Sequence, residues 1–281
     1  MISLSRACGA QAPINIRVDS RHTKKPPFRA IFQCLCNYRG RNYRGRSLVI
    51  LFLGSILKYM ERQCVFSIGE FYHVYNRGVE KRSIFIDKKD WARFHKLLYL
   101  ANSSQSFVFR ELKDQGINTI ERGSPIVAIG AYVLMLNHFH ILAKETTENG
   151  LSTFMKKLST GYSMYFNKKD ERVGPLFQGR FKAEHVSRDE HLKYLYAYIH
   201  LNPVKLIEPK WKETGIKNKD RAIKFIKQYH YSSYEDYCGT NRQECKIISK
   251  GEFPKYFSGT HSFKTYVNDW LMYQILEDGP R

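Results

Sequence analysis

Between Tyr132 and Leu142 the chain reads Tyr-Val-Leu-Met-Leu-Asn-His-Phe-His-Ile-Leu, an apolar run broken only by Asn137, His138 and His140. A stretch this apolar belongs in a core, and a β-strand lets it keep two imidazoles in one direction. Successive side chains on a strand alternate faces, so His138 and His140 point one way while Phe139 points back inside. Two such rings can share one metal ion without any loop rearrangement. On spacing alone, a His-x-His pair in a strand is more often structural or solvent-facing, and the metal reading needs further groups.

Charge narrows the partners. Lys+Arg 46 against Asp+Glu 26 gives a net +20 and favours a polyanion such as nucleic acid. Residues 1–60 hold 11 Lys/Arg and one acid, Asp19, so half of that excess sits in a segment with little periodicity. It carries Lys24-Lys25-Pro26-Pro27 and an Arg/Gly/Tyr stretch at 38–46. Residues 1–60 are read as a basic extension, disordered or the product of a misassigned start, with Met60 opening the globular part. A merely basic soluble protein is the plain alternative. The six cysteines (8, 34, 36, 64, 238, 245) show no CxxC pairing and suggest a reduced, intracellular protein. The apolar run Leu48–Leu57 is about half the length needed to span a bilayer, so no membrane insertion is expected.

Periodicity gives the element order. Phe71–Asn76 reads as a strand closed by Arg77-Gly78. Asp87 caps a helix with Trp91, Phe94, Leu97 and Leu98 at helical spacing. Strands follow from about Ile126 to Leu134 and His138 to Ala143, turning near Leu136-Asn137. Leu151–Phe166 is a second helix, broken by Gly174-Pro175, and Leu176–Val186 is extended. Ser187-Arg188-Asp189-Glu190 reads as a capping box opening a third helix that Pro203 stops near Asn202. The order β, α, β, β, α, β, α predicts an α+β, ferredoxin-like antiparallel sheet with helices packed on one face. The expected organisation is an extension (1–60), a globular domain (61–204) and a basic, Tyr-rich helical C-terminal appendage (205–281).

On the third helix Leu192, Leu195, Tyr196 and Ile199 form one apolar stripe, and His191, Tyr194, Tyr198 and Asn202 form another. His200 lies about 200° round from Tyr198 and leaves that stripe. The bland reading makes the tyrosines amphipathic rim residues and Asn202 a helix end before proline.

Four motifs then stand in order: Tyr72-His73-Val74-Tyr75-Asn76-Arg77-Gly78, Asn137-His138-Phe139-His140, Leu176-Phe177-Gln178-Gly179-Arg180-Phe181 and Tyr198-Ile199-His200-Leu201-Asn202-Pro203-Val204. Together they resemble the single-tyrosine HUH transposases, a group that includes the REP-associated tyrosine transposases and the IS200-like enzymes. Residues from about 66 to 240 are covered, including Tyr231-Ser232-Ser233-Tyr234-Glu235-Asp236-Tyr237, similar to a segment of longer members. Residues 1–60 have no counterpart, and Leu136 stands where the family usually has proline.

The resemblance implies a metal-dependent endonuclease and strand transferase for single-stranded DNA. It assigns Tyr198 as the nucleophile that forms a covalent 5′-phosphotyrosine and His138 and His140 as ligands of Mg²⁺ or Mn²⁺. Asn202 falls at the third ligand position, with Glu184 and Gln178 as substitutes. Arg77, Lys156, Lys157, Arg180, Lys182 and Arg188, with Lys193, are candidates for the phosphate backbone, although solvated surface charge is the default for any one of them. The expected partner is single-stranded DNA with hairpin or repeat ends, in the cytoplasm at the nucleoid, and a homodimer is compatible with this. Two rivals remain: a domesticated or inactive nucleic-acid-binding protein on the same fold, and a metal-dependent nuclease that forms no covalent intermediate.

Overall fold

A computed structural model of the chain describes residues 65–272; the basic extension, Met60, the Leu48–Leu57 run and four of the six cysteines lie outside the described residues. Cys238 and Cys245 are free thiols. Among the described residues no helix is long and apolar enough to cross a membrane.

The first eight elements are β1 (Phe71–Arg77), α1 (Lys88–Ala101), α2 (Phe109–Leu112), β2 (Val127–Met135), β3 (His138–Glu145), α3 (Gly150–Lys169), β4 (Lys182–His185) and α4 (Asp189–Leu201). The four strands form one antiparallel sheet in the order β2-β3-β1-β4, as the ferredoxin-like reading expects. Leu136 and Asn137 make the turn between β2 and β3. Asp87 caps α1 by accepting from the amides of Lys89 and Asp90, and Asp90 reciprocates toward Asp87.

All nine residues of β2 are buried, which requires cover on both faces of the sheet. Val127, Ile129, Tyr132 and Leu134 join Tyr72, Val74, Phe139 and Ile141 on one face, against Phe94 and Leu98 of α1 and Phe154, Leu158 and Tyr162 of α3. The opposite face presents Ala128, Ala131, Val133, Met135 and Leu142 to Leu192, Leu195, Tyr196 and Ile199 of α4. One-face packing thus holds for α1 and α3, whereas α4 lies across the sheet from them. Its apolar stripe is the expected one; the second apolar face of β2 is what receives it.

The capping box at Ser187 does not form. Val186 still donates to the Phe71 carbonyl at 2.9 Å, which keeps the chain extended, and α4 starts at Asp189 with Arg188 at the N-cap and no side-chain cap. Of the extended stretch Leu176–Val186, only Lys182–His185 is strand. Asn202 begins a 3₁₀ turn (Asn202–Leu206) in right-handed helical geometry, φ −52° and ψ −40°, so proline leaves it in register with Tyr198.

The C-terminal part continues with α5 (Trp211–Thr214), α6 (Lys219–Lys227), α7 (Tyr234–Tyr237) and α8 (Thr260–Met272). Trp211, Ile226, Tyr234, Phe263 and Val267 share a core with Ala197 and Leu201 on α4. The same part covers the free edge of β2: Leu134 donates to the Tyr231 carbonyl at 2.9 Å, Ser233 to that of Tyr132 at 3.0 Å and Ser249 to that of Ile129 at 2.8 Å. An uncovered edge of this length would invite pairing with other chains.

Gly130 sits at a register irregularity of β2, between Ile129 and Ala131, beneath the Phe253 ring; a Cβ there would lie 2.7 Å from that ring. Gly130→Ala is expected to cost about 1–3 kcal/mol by overpacking. Adding Phe253→Leu should recover part of that cost, so urea unfolding of the two single variants and the double should show clear non-additivity. Additive effects would mean that the ring does not set the constraint.

Candidate active site

Strand β3 delivers the histidines as alternation requires. Phe139 is fully buried among α1 and α3 residues, and the His138 and His140 rings, 5.2 Å apart between centroids, lie on the α4 side. Each ring has one nitrogen engaged. His138 Nδ1 is 2.6 Å from Asn137 Oδ1, an atom that only accepts, so Nδ1 carries the proton and Nε2 keeps its lone pair. His140 Nδ1 is 2.9 Å from His73 Nε2, and His73 Nδ1 faces a Glu184 carboxylate oxygen at 3.8 Å. That carboxylate favours the proton on His73 Nδ1, which makes His73 Nε2 an acceptor for His140 Nδ1–H and again frees an Nε2. Metal-binding histidines are commonly oriented in this way, through a partner on the other nitrogen.

His73 and Glu184 are a registered pair across β1 and β4, and Tyr75 adds a 2.7 Å hydrogen bond to Glu184. The hydrogen bond from His73, aided by Tyr75 and opposed by burial, holds the Glu184 carboxyl at about 2. Glu184 therefore stands behind the histidines as an anion rather than beside them. Gln178 is exposed, past the end of β1, its amide bonded to the Arg77 carbonyl.

Helix α4 brings Tyr198 to the pair. Its ring meets His140 edge-on at 5.5 Å and His73 at 5.6 Å. Tyr194, one turn earlier, packs on Trp270 of α8 at 4.7 Å. Burial raises the Tyr198 pKa above the ordinary phenol value, while a hydrogen bond with the Asn202 side chain works in the opposite direction. Asn202 is fully buried and donates from Nδ2 to the Tyr198 carbonyl at 3.0 Å. Its Oδ1 is buried with no hydrogen-bond partner among the described residues. A buried amide oxygen in that state is costly unless a ligand completes it. Two imidazole nitrogens and an orphaned oxygen fit a divalent cation that accepts mixed donors, with water and phosphate filling the rest. Among the described residues no group of three His, Cys, Asp or Glu could hold such an ion, and Asn202 Oδ1 is the candidate for a third protein donor.

The cations divide. Arg77 ends β1 in register with His138 and helps keep that imidazole neutral, and Lys182 pairs with Tyr75 on β4. Arg180 and Arg188 are exposed on the segments flanking β4. Lys156 and Lys157 lie on α3, across the sheet from Tyr198, and Lys157 donates to the Ser103 and Gln105 carbonyls. Lys193 lies over the Tyr266 ring at 5.1 Å. Two lysines that the spacing did not indicate do reach the site: Lys212 Nζ is 4.2 Å from the Tyr198 ring centroid and Lys205 Nζ is 6.0 Å from it. They come from the turns after Pro203, where no periodicity fixes a direction. His73 was legible only as a member of a motif.

The match to known families falls on these elements. Residues 117–202 match the family model "Transposase IS200 like", a span containing β2, β3, α3, β4 and α4 with His138, His140, Tyr198 and Asn202. Those residues, less than a third of the chain, are similar to IS200-like transposases. The resemblance to single-tyrosine HUH transposases is thereby borne out. No curated protein matches the chain. Among solved structures, a REP-associated tyrosine transposase bound to a REP hairpin is similar at 14% identity and TM-score 0.41, over 71% of this chain and 91% of that one. The tRNA(His) guanylyltransferase of Saccharomyces cerevisiae is similar at 10% identity and TM-score 0.32, over 79% of this chain and 86% of that one. At these scores neither superposition assigns a role to a residue.

Burial first, then the charges of Lys205 and Arg77, push the His138 imidazole down to about 4; His140 moves the same way. A base whose folded pKa lies below its unfolded value binds fewer protons when folded. The unfolded chain therefore takes up the extra proton as pH falls from about 6.5 to 4, and stability declines through that window. NMR titration of the metal-free protein should show the His138 ring neutral at pH 5.5 and the His140 ring titrating below the ordinary imidazole value. Protonation of either near pH 6.5 would contradict this environment.

Proposed function

We propose that this chain cuts and rejoins single-stranded DNA through a covalent bond between Tyr198 and a 5′-phosphate. The observation that carries the reading is the edge-on approach of the Tyr198 ring to His140 at 5.5 Å, which joins the two motifs in one site. Tyr198 Oη attacks phosphorus, and the Oη–P bond forms as the bond from phosphorus to the 3′ oxygen breaks. The phenol proton passes to solvent and the departing oxygen takes one up, leaving a 5′-phosphotyrosine and a free 3′-hydroxyl. The phosphoester is conserved, so a 3′-hydroxyl of another strand can reverse the step and reseal DNA without a nucleotide cofactor.

His138 and His140, through Nε2, and Asn202, through Oδ1, would hold Mg²⁺ or Mn²⁺. Bound there, the ion supplies charge neutralisation and polarisation of the phosphate. The chain does the rest. Asn137 and His73 fix the tautomers of the two imidazoles, and Glu184 fixes that of His73. Burial keeps Tyr198 protonated in the resting site, so the nucleophile is released only where positive charge gathers. The proposed setting is the cytoplasm at the nucleoid, with hairpin or repeat ends as the DNA.

Labelled single-stranded hairpin DNA incubated with the protein and Mn²⁺ should give an adduct that survives denaturant. Tyr198→Phe should abolish it, His138→Ala should reduce it strongly and Tyr194→Phe should preserve it. Cleavage without any adduct would replace the proposal with a hydrolytic nuclease; an adduct that survives Tyr198→Phe and disappears in Tyr194→Phe would move the nucleophile. A second measurement isolates the supporting residues: His73→Ala should weaken Mn²⁺ binding, followed by electron paramagnetic resonance, about 10–100-fold. Unchanged Mn²⁺ affinity would remove His73 from the site.

A further inference from the structure

We propose that Lys205 and Lys212 form a clamp for the DNA phosphodiester presented to Tyr198, a role that rests on the strand-cleavage reading. Several lysines elsewhere in the described residues are taken up by acceptors, whereas half-buried Lys193 faces the Tyr266 ring. Lys96 is received by the carbonyls of Leu112, Lys113 and Gln115, Lys157 by those of Ser103 and Gln105, and Lys250 by that of Asp236. Lys144 and Lys169 pair with carboxylates. Lys205 and Lys212 are half-buried, yet among the described residues neither has a carboxylate within ion-pair distance or a carbonyl acceptor. Their ammonium groups instead face aromatic rings, Tyr198 for both and Trp211 for Lys212.

The chain holds them there by local structure. Pro203, second residue of the 3₁₀ turn Asn202–Leu206, favours the tight turn that carries Lys205 back beside α4. Trp211 is 4% exposed in the core shared with Leu201 and Val204, and it anchors α5 so that Lys212 lies over the phenol. Burial and neighbouring positive charge lower both ammonium pKa values, Lys212 to about 8 with Lys205 as the second cause; for Lys205 burial leads and Arg77 adds to it. Their fields also reach the imidazoles: His138 is affected by Lys205, and His140 by both lysines. Three cations thus flank the space between nucleophile and histidines, and Glu184, the acid nearest by its effects, is engaged by His73 and Tyr75. Two like charges kept together without a counterion are stabilised by an arriving anion. In this site the anion with the right chemistry is a singly charged phosphodiester.

Binding and chemistry are separated in the test. In EDTA, affinity for a hairpin oligonucleotide with a single-stranded flank is measured against salt for wild type, Lys205→Gln, Lys212→Gln, the double variant, Lys212→Arg and a control, Lys168→Gln, on the exposed side of α3. Removing one lysine–phosphate interaction should flatten the log–log salt slope by about 0.7 for a single strand. The double variant should therefore be flatter by about twice that, with Lys212→Arg and Lys168→Gln near wild type. With Mn²⁺ and saturating DNA, the double variant should form the adduct about 100-fold more slowly. An unchanged slope overturns the clamp, as does a flatter slope with an unchanged adduct rate, which would place these lysines elsewhere on the DNA. A flatter slope in protein whose wild type forms no adduct leaves a backbone clamp standing and defeats the cleavage reading instead. If Gln at both positions prevents folding, as circular dichroism would show, the single variants and Lys212→Arg decide.

Discussion

Phe139 fixes the phase on which the site depends. Its side chain is driven into the core between α1 and α3, and the strand's period of two then commits His138 and His140 to the opposite face. A slip of one residue would bury both imidazoles among phenylalanines and expose Phe139 to α4. The register is secured from both sides, because β3 pairs with β2 through a two-residue turn and with β1 along seven residues. That second pairing also brings β1's His73 to His140. Core packing and the orientation of the histidines are thus one constraint seen from the two faces of a single strand.

Electrostatics then builds on position. The site gathers cations and keeps its histidines neutral, two tendencies that reinforce each other: Lys205 and Arg77 disfavour imidazolium at His138, and a neutral imidazole is the form that can bind a metal. Burial likewise raises the phenol of Tyr198, so its hydroxyl stays protonated in the resting site. Glu184, the acid facing His73, is an anion held by His73 and Tyr75 rather than by a lysine, which leaves the lysines available. An arrangement of this kind favours an incoming anion over any internal pairing.

Alternation and helical spacing make much of this legible in the sequence. The His-x-His strand, the apolar stripe of α4 and the shared direction of Tyr198 and Asn202 all follow from periods of two and 3.6, and the structure has them. What failed depended on competition between elements. Ser187 has the composition of a cap, but the β1–β4 pairing extends to Val186 and delays the helix. The placement of α4 opposite α1 and α3 was implicit in the unbroken apolar run of β2, which needs two covers, yet the element order alone suggests one. Lys205 and Lys212 lie in 3₁₀ and single-turn elements whose direction is set by Trp211 and its tertiary neighbours. Lys156 and Lys157 show the converse: they are close in sequence to the site's elements, and α3 carries them across the sheet from Tyr198.

The C-terminal part has a larger role than an appendage would. Residues 231–249 take up backbone groups of Ile129, Tyr132 and Leu134 on β2's outer edge, and Trp91 of α1 stacks on Tyr231 at 3.9 Å, so the segment ties the sheet to both helical layers. His200, on the far side of α4 from Tyr198, is fully buried between the Tyr196 carbonyl and Ser233, whose hydroxyl also accepts from the Tyr132 amide. Helix α4 is therefore held on one side by its apolar stripe on the sheet and on the other by polar bonds to the chain that follows it. The rotation of the helix, and with it the aim of Tyr198 at His140, depends on both. A domain ending at residue 204 would keep the histidines and the tyrosine in sequence but lack Ser233 and the core residues that fix the rotation of α4.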